Sequence, residues 1–263
     1  METAKNKTAL VTGASSGIGL EICRELASRG CKPVLVARRE ERLNELAKVL
    51  KNDFGIEAPV IAMDLLEANA TEKLYKKTSD AGLEIDILVN NAGFGFKGPL
   101  HKSSLENYRN MVNLNINVLT ELTYLYSKNM LEKQSGGIIN VASMAGFGPI
   151  PYFSVYAASK SYVIQFSQAL WQEFSKSGIH VSALCPGPVE TEFFEVASLD
   201  PAKMSMRSIQ KPDEVAKIAI ESLLKNKRVV PTSASLKLMA ASTKLAPTVL
   251  TLKAAEVMMG KEM

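Results

Sequence analysis

Seven short runs rich in Val, Ile and Leu punctuate the chain at residues 7–12, 33–37, 58–62, 86–90, 137–142, 179–185 and 228–231. A strand with one wet face would alternate apolar and polar side chains; these runs do so only weakly, and they read as strands buried on both faces. Between them the apolar period lengthens. Leu43, Leu46, Ala47 and Leu50 fall at i, i+3, i+4 and i+7 within residues 40–52, with Glu and Lys on the other side, as in an amphipathic helix. Ser103 and Glu106 have capping-box spacing and predict a long helix to about residue 132. Residues 153–176 also read as a helix, and Pro212 followed by Asp213 and Glu214 opens another. Strands that alternate with helices predict a parallel sheet covered on both sides, and right-handed crossovers make it doubly wound. Such sheets bind ligands beyond the carboxyl ends of their strands, so the chemistry is expected there.

Length and composition narrow this picture. A chain of 263 residues allows one large domain or two small ones. No linker, repeat or low-complexity segment divides it, which favours one seven-stranded domain. Hydrophobic residues at 46% and charged residues at 22% describe a soluble globular protein. The net charge of +4 is too small to imply a nucleic-acid partner, but it is concentrated. Between Ser222 and Ala255 lie Lys225, Lys227, Arg228, Lys237, Lys244 and Lys253, with no acid. Cys23, Cys31 and Cys185 are too few and too irregular for a disulfide framework or a zinc site, which fits a reducing, cytoplasmic setting. His101 and His180 stand in no motif, and no metal is expected. The short apolar run after Lys5 and Lys7 is not a signal peptide, and the longest uncharged stretch, 134–159, holds too many Gly and Pro for a membrane span.

Directly after the first strand comes Thr12-Gly13-Ala14-Ser15-Ser16-Gly17-Ile18-Gly19, which leads into a helix. Gly13 permits a tight turn, Gly17 lets backbone amides approach a pyrophosphate, and Gly19 allows close packing, while the helix start supplies partial positive charge. The second strand ends in Ala37-Arg38-Arg39 rather than in an acid. Such a pair would attract a ribose 2′-phosphate and favour NADP(H) over NAD(H); the alternative is that both arginines are solvated beside Glu40 and Glu41. Asp64, with Leu65 after it, stands just past the third strand, placed either to meet an adenine amino group or to cap a helix.

Four segments in order closely resemble the short-chain dehydrogenase/reductase family: the T-G-x-x-x-G-x-G loop, Asn90-Asn91-Ala92-Gly93 after the fourth strand, Ser143 after the fifth, and Tyr156-Ala157-Ala158-Ser159-Lys160. The resemblance runs from about Lys7 to Val230 and implies a three-layer Rossmann fold with one NADP(H)-binding and catalytic domain over 1–232. Independently, Tyr156 and Lys160 are i and i+4, so both face one side of a helix. A tyrosine pKa near 10 would need lowering by roughly 2–3 units for acid–base work at neutral pH, with Lys160 and an oxidised nicotinamide as sources. The resemblance further implies that Ser143 holds the substrate oxygen, that Lys160 also grips the nicotinamide ribose, and that Asn115 anchors a water in a proton relay. Pro186-Gly187-Pro188-Val189-Glu190-Thr191 resembles the family segment that holds the carboxamide.

The function implied is carbonyl–alcohol interconversion on a small molecule; the alternative is a non-catalytic NADP(H)-binding sensor or scaffold. Residues 192–210, with Phe193, Phe194, Val196, Leu199, Met204 and Met206, are expected to form a mobile flap. Its character suits a bulky hydrophobic ketone of 3-oxoacyl or hydroxysteroid type, or else plain packing on the domain. Phe94, Phe96, Pro149, Ile150, Tyr152 and Phe153 are further candidate pocket walls. A homodimer or homotetramer is expected. Residues 233–263 are read as a helical extension docked on the domain or on a second subunit, with contact to an anionic membrane surface as the lesser alternative.

Overall fold

Ala9, Leu10 and Val11 are wholly buried, and the strand that carries them, β1 (Thr8–Thr12), lies at the centre of the sheet. The structure is a computed structural model that describes residues 3–199 and 209–259. After β1 the chain forms α1 (Gly17–Ser28), β2 (Lys32–Ala37), α2 (Glu40–Phe54), β3 (Val60–Ala62), α3 (Ala70–Asp80) and β4 (Ile87–Asn90). It continues through α4 (Leu105–Val112), α5 (Leu119–Glu132), β5 (Gly136–Val141), α6 (Ser154–Glu173), β6 (Ile179–Cys185), the short α7 (Phe193–Val196), α8 (Pro212–Leu224) and β7 (Val229–Pro231). Helices α9 (Ala234–Leu245) and α10 (Thr248–Met259) follow. The sheet order is β3-β2-β1-β4-β5-β6-β7, and every pairing is parallel. This is the expected doubly wound Rossmann fold, with each strand within two residues of its expected limits.

Successive β1 side chains feed opposite layers. Ala9 and Val11 pack with Ile22, Leu26 and Ile220 from α1 and α8, whereas Leu10 packs with Leu74, Leu122 and Leu170 from α3, α5 and α6. The chain moves outward from β1 through β2 to β3, then returns to place β4 on the other side of β1. Adjacent connections therefore leave the sheet in opposite directions between β1 and β4, which opens a crevice above their carboxyl ends.

Two local features differ from the capping pattern of the sequence. The side chain that caps α4 is Ser104, whose Oγ accepts from the Asn107 amide at 3.1 Å; Ser103 instead accepts from Asn107 Nδ2 at 2.8 Å. The helix starts one residue later than the capping-box spacing implies, so Glu106 does not stand at the third helical position. The expected long helix does run to Glu132, but through a π turn at Asn113–Val118. Turns of this kind are rare and concentrate at functional sites.

A polar ladder crosses the layer beneath the crevice. Asn90 Nδ2 donates to Thr123 Oγ1 at 2.9 Å and to Asn140 Oδ1 at 2.8 Å, Asn140 Nδ2 donates to Ser167 Oγ at 3.0 Å, and that hydroxyl donates to the Val163 carbonyl at 2.7 Å. It joins α5, β4, β5 and α6 where all four side chains are buried. Among the described residues no helix is long and apolar enough to cross a membrane. Helix α9 packs against β7 and the turn after Ser143, while Val249, Leu250 and Val257 of α10 are exposed.

Removing the Ser167 hydroxyl leaves the Asn140 amide unpaired in a dry layer. Ser167→Ala is expected to cost about 1–3 kcal/mol. Urea denaturation checks this, and a loss below about 0.5 kcal/mol would show that the ladder is held by its other members.

Candidate active site

The glycine loop is fixed by the strand beside it. Thr12 Oγ1 accepts from the amides of Asn91 and Ala92, each at 3.0 Å, and Asn91 Nδ2 donates to the carbonyls of Thr12 at 2.9 Å and Gly13 at 3.3 Å. The first turn of α1 therefore lies flat against the end of β4. A Cβ on Gly19 would stand 2.3 Å from the Gly13 carbonyl oxygen and 2.4 Å from Asn91 Nδ2, so no other residue fits without moving the loop. Gly17 has φ +55°, and a Cβ there would meet the Thr191 methyl at 2.8 Å. Ile18 turns inward onto the core. The first turn of α1 carries no acid, and its amides face the crevice at the positive end of the helix.

Arg39 reaches back over this loop. Its Nη2 donates to Ser15 Oγ at 3.1 Å and to Ser16 Oγ at 2.9 Å, and its Nη1 donates to Glu192 Oε2 at 2.8 Å. Arg42, one turn along α2, pairs with the other oxygen of the same carboxylate. Arg38 points elsewhere: it is 73% exposed and lies 4.0 Å from Asp64 Oδ2. Asp64 Oδ1 accepts from the Leu66 amide at 3.0 Å and so caps a turn, while the Leu65 side chain is buried in the core.

Across the crevice, α6 brings Tyr156 and Lys160 to one face, and both are almost wholly buried. Ser143, just past the end of β5, stands near enough to the Tyr156 hydroxyl to lower its pKa, and it accepts from the Ala145 amide at 3.1 Å. Lys160 Nζ donates to the Val141 carbonyl at 2.8 Å and lies 5.7 Å from the Tyr156 ring centroid. Asn115, inside the π turn, accepts from the Phe94 amide at 3.2 Å and donates to the Phe94 carbonyl and to Ser159 Oγ, each at 3.0 Å. Gly93 sits between these groups, since a Cβ on it would stand 2.8 Å from Asn115 Oδ1 and 3.4 Å from Lys160 Nζ. Loops and helices distant in sequence thus bring Ser143, Tyr156, Lys160 and Asn115 together.

Burial moves the two titratable groups in opposite directions. It pushes the Tyr156 phenol up to about 12, against the lowering effect of the neighbouring Ser143 hydroxyl. It pulls the Lys160 ammonium down to about 8. Lys160 does not lower the tyrosine as expected: desolvation dominates, and the ammonium is turned to the Val141 carbonyl.

The wall around Tyr156 is aromatic. Its ring stacks on Phe153 at 4.4 Å between centroids, and Phe193 of α7 lies 5.4 Å away on a tilted plane. Phe94, Phe96 and Ile150 pack into the same cluster. Tyr152 holds a left-handed backbone at φ +62°, and its carbonyl accepts from the Gly98 amide at 2.8 Å. Strain of this kind persists only where its surroundings fix it, often beside a site. Val189 and Gln210, at the two ends of the segment expected to form a flap, are joined by a parallel bridge; Met204 and Met206 lie outside the described residues.

A family profile described as short chain dehydrogenase matches residues 7–201. The chain belongs to this family. It is 37% identical over 192 residues to the very-long-chain 3-oxoacyl-CoA reductase of Macaca fascicularis, a match covering 72% of this chain and 61% of that one. The chain therefore spans about three fifths of the length of that relative. Among solved structures, a short-chain dehydrogenase from Sphingobium yanoikuyae in complex with NADPH superposes with a TM-score of 0.83 at 30% identity, covering 93% of this chain and 94% of that chain. The bulky-bulky ketone specific alcohol dehydrogenase from Comamonas testosteroni gives 0.77 at 28%, covering 91% and 93%.

The loop fits the family's nicotinamide dinucleotide, because its glycines leave open a cradle that side chains would fill and two serine hydroxyls beside an arginine stand at its rim. Two participants escaped the motifs. Glu192 reaches Arg39 and Arg42 across some 150 residues of sequence, and only the folded loop brings it there. Leu236 of α9 packs under the carboxamide-type segment, within 3.0 Å of where a Gly187 Cβ would stand. The first helix of the extension therefore touches the site, and Pro186 ties that segment to the Ser143 loop by accepting from the Met144 amide at 2.9 Å.

Proposed function

We propose that the protein is an NADP(H)-dependent oxidoreductase that interconverts a hydrophobic carbonyl compound and its secondary alcohol, with Tyr156 as general acid and base. The observation that carries this reading is the buried Tyr156 beside the half-buried Ser143, with Lys160 buried one helical turn away, at the carboxyl end of the parallel sheet.

In this reading Ser15, Ser16 and Arg39 take a 2′-phosphate, with Arg38 as an outer charge. Asp64 and Leu65 border the adenine, and Asn91, Ala92 and Gly93 border the adjoining ribose. Lys160 and Tyr156 meet the nicotinamide ribose, and Pro186, Gly187, Val189 and Thr191 meet the carboxamide. When bound, the reduced nicotinamide supplies the hydride to the carbonyl carbon. Ser143 orients the carbonyl oxygen, and Tyr156 gives it a proton. A phenol held near 12 stays protonated at neutral pH, which suits a proton donor in the reducing direction. Lys160 and Asn115, the latter linked through Ser159 to the Tyr156 carbonyl, stand where the proton is resupplied.

The NADPH complex of the Sphingobium relative supports the phosphorylated cofactor. The cluster of Phe94, Phe96, Phe153 and Phe193 supports an apolar substrate, and so do the 3-oxoacyl-CoA and bulky ketone activities named for two relatives.

Tyr156→Phe is expected to keep cofactor binding while turnover of a ketone panel falls by at least about 10³-fold; full activity in that variant would end the proposal. Arg39→Ala is expected to raise the KM for NADPH roughly 10- to 100-fold and to leave that for NADH nearly unchanged, since a charged hydrogen bond contributes about 1.5–3 kcal/mol. Equal effects in steady-state assays would count against the 2′-phosphate assignment. Burial lowers Lys160, so its ammonium is kept below about pH 8 and lost above it. Reductive kcat should therefore be flat up to about pH 8 and fall beyond it, while oxidation of the alcohol should rise over the same interval; a reductive profile flat to pH 10 would remove Lys160 from the relay.

A further inference from the structure

Glu192 and Phe193 are consecutive, yet they serve opposite halves of the crevice. Glu192 holds Arg39 and Arg42 beside the loop serines, and Phe193 lies against the ring of Tyr156. They open the single turn of α7, closed by the Val196 amide donating to the Glu192 carbonyl at 3.2 Å and by the Ala197 amide donating to the Phe193 carbonyl at 2.9 Å. Phe193 and Phe153 both pack on the Tyr156 ring, so a displacement of α7 changes the wall that a substrate meets beside the phenol.

We propose that Glu192 is a specificity-determining residue that lets the substrate side of the site read the cofactor's 2′-phosphate. The inference rests on the NADP(H) reading above. Arg39 already bridges Ser15, Ser16 and Glu192, so its guanidinium is the group a phosphate at the loop rim and the Glu192 carboxylate both seek. A phosphate monoester carries nearly twice the charge of a carboxylate and offers three acceptor oxygens for guanidinium forks. When it takes Arg39 and draws in Arg42, Glu192 loses its partners and Phe193 leaves the tyrosine ring. A cofactor without the 2′-phosphate leaves the ion pairs intact and the aromatic cover closed. A ligand shifts such an equilibrium only by its differential affinity for the two arrangements. Both arginines and Glu192 are about two fifths exposed, so each ion pair is weak and the coupling amounts to roughly threefold to tenfold.

Amide hydrogen exchange on the full chain tests this without any substrate. The probes are adenosine 2′,5′-bisphosphate and AMP, each at saturation. The bisphosphate should speed exchange at Val196 and Ala197 about threefold to tenfold, and AMP should leave it unchanged. Glu192→Gln should exchange at the faster rate with no ligand and respond to neither probe. Arg42→Ala, which leaves Arg39 paired with Glu192, should exchange faster with no ligand and still respond to the bisphosphate, and unchanged exchange in β1 and β4 reports an intact fold. Tight bisphosphate binding with no response at α7, or a response that survives in Glu192→Gln, overturns the inference alone. A bisphosphate that binds no more tightly than AMP overturns the NADP(H) reading and this inference with it.

Discussion

The contact between Thr12 and Asn91 is the constraint on which the site depends. A parallel sheet ends in carbonyls and amides that no further strand satisfies, and the crevice between β1 and β4 exposes them where the two crossovers diverge. One threonine hydroxyl accepts two amides from the end of β4, and one asparagine amide caps the carbonyls at the end of β1. The exchange locks the register of two loops that share no local sequence. Both Gly19 and Gly93 follow from it: the first because α1 starts in contact with Asn91, the second because the β4 loop passes between Asn115 and Lys160.

The same economy of buried polar groups runs through the layer below. Asn90, Thr123, Asn140 and Ser167 lie among Leu, Ile and Val, where an unpaired amide costs about 1–3 kcal/mol. The Asn90 side-chain oxygen is left without a partner, and the four hydrogen bonds of the network fix how α5 and α6 sit on the sheet. That placement matters because α6 carries Tyr156 and Lys160, while the π turn before α5 carries Asn115. The π turn widens the helix just where Asn115 must reach both Phe94 and Ser159, so the irregular backbone serves a contact that a regular helix would put out of phase.

Sequence periodicity found all seven strands because each is a short apolar run, and a parallel sheet leaves no wet face to break the pattern. The residues brought into the site were equally legible wherever local geometry carried the signal: glycines after a strand, or two side chains four apart on a helix. Other features were not written locally. The Ser103–Glu106 spacing suggested a cap, but the structure takes Ser104, because the entry angle of the helix is set by the loop packed before it. Arg38 and Arg39 are indistinguishable in sequence, and only the alternation at the end of β2 decides that Arg39 turns toward Ser15 and Ser16. The basic extension gave no sign that Leu236 would pack beneath Gly187, since that contact depends on where β7 delivers the chain.

Dryness is what unites the chemistry of Tyr156 and Lys160. A low dielectric disfavours whichever form is charged, so one cause raises the phenol and lowers the ammonium. Both groups are thereby held toward their neutral forms, and the tyrosine keeps the proton that a developing alkoxide needs. The aromatic cover contributes to that dryness, with Phe153 and Phe193 both packed on the ring. Phe193 belongs to α7, whose first residue follows directly on the carboxylate that grips Arg39 and Arg42. Proton affinity at the phenol and charge at the far end of the crevice are therefore joined by a single peptide unit, and water reaching the tyrosine past a displaced Phe193 would relax the shift that burial imposes.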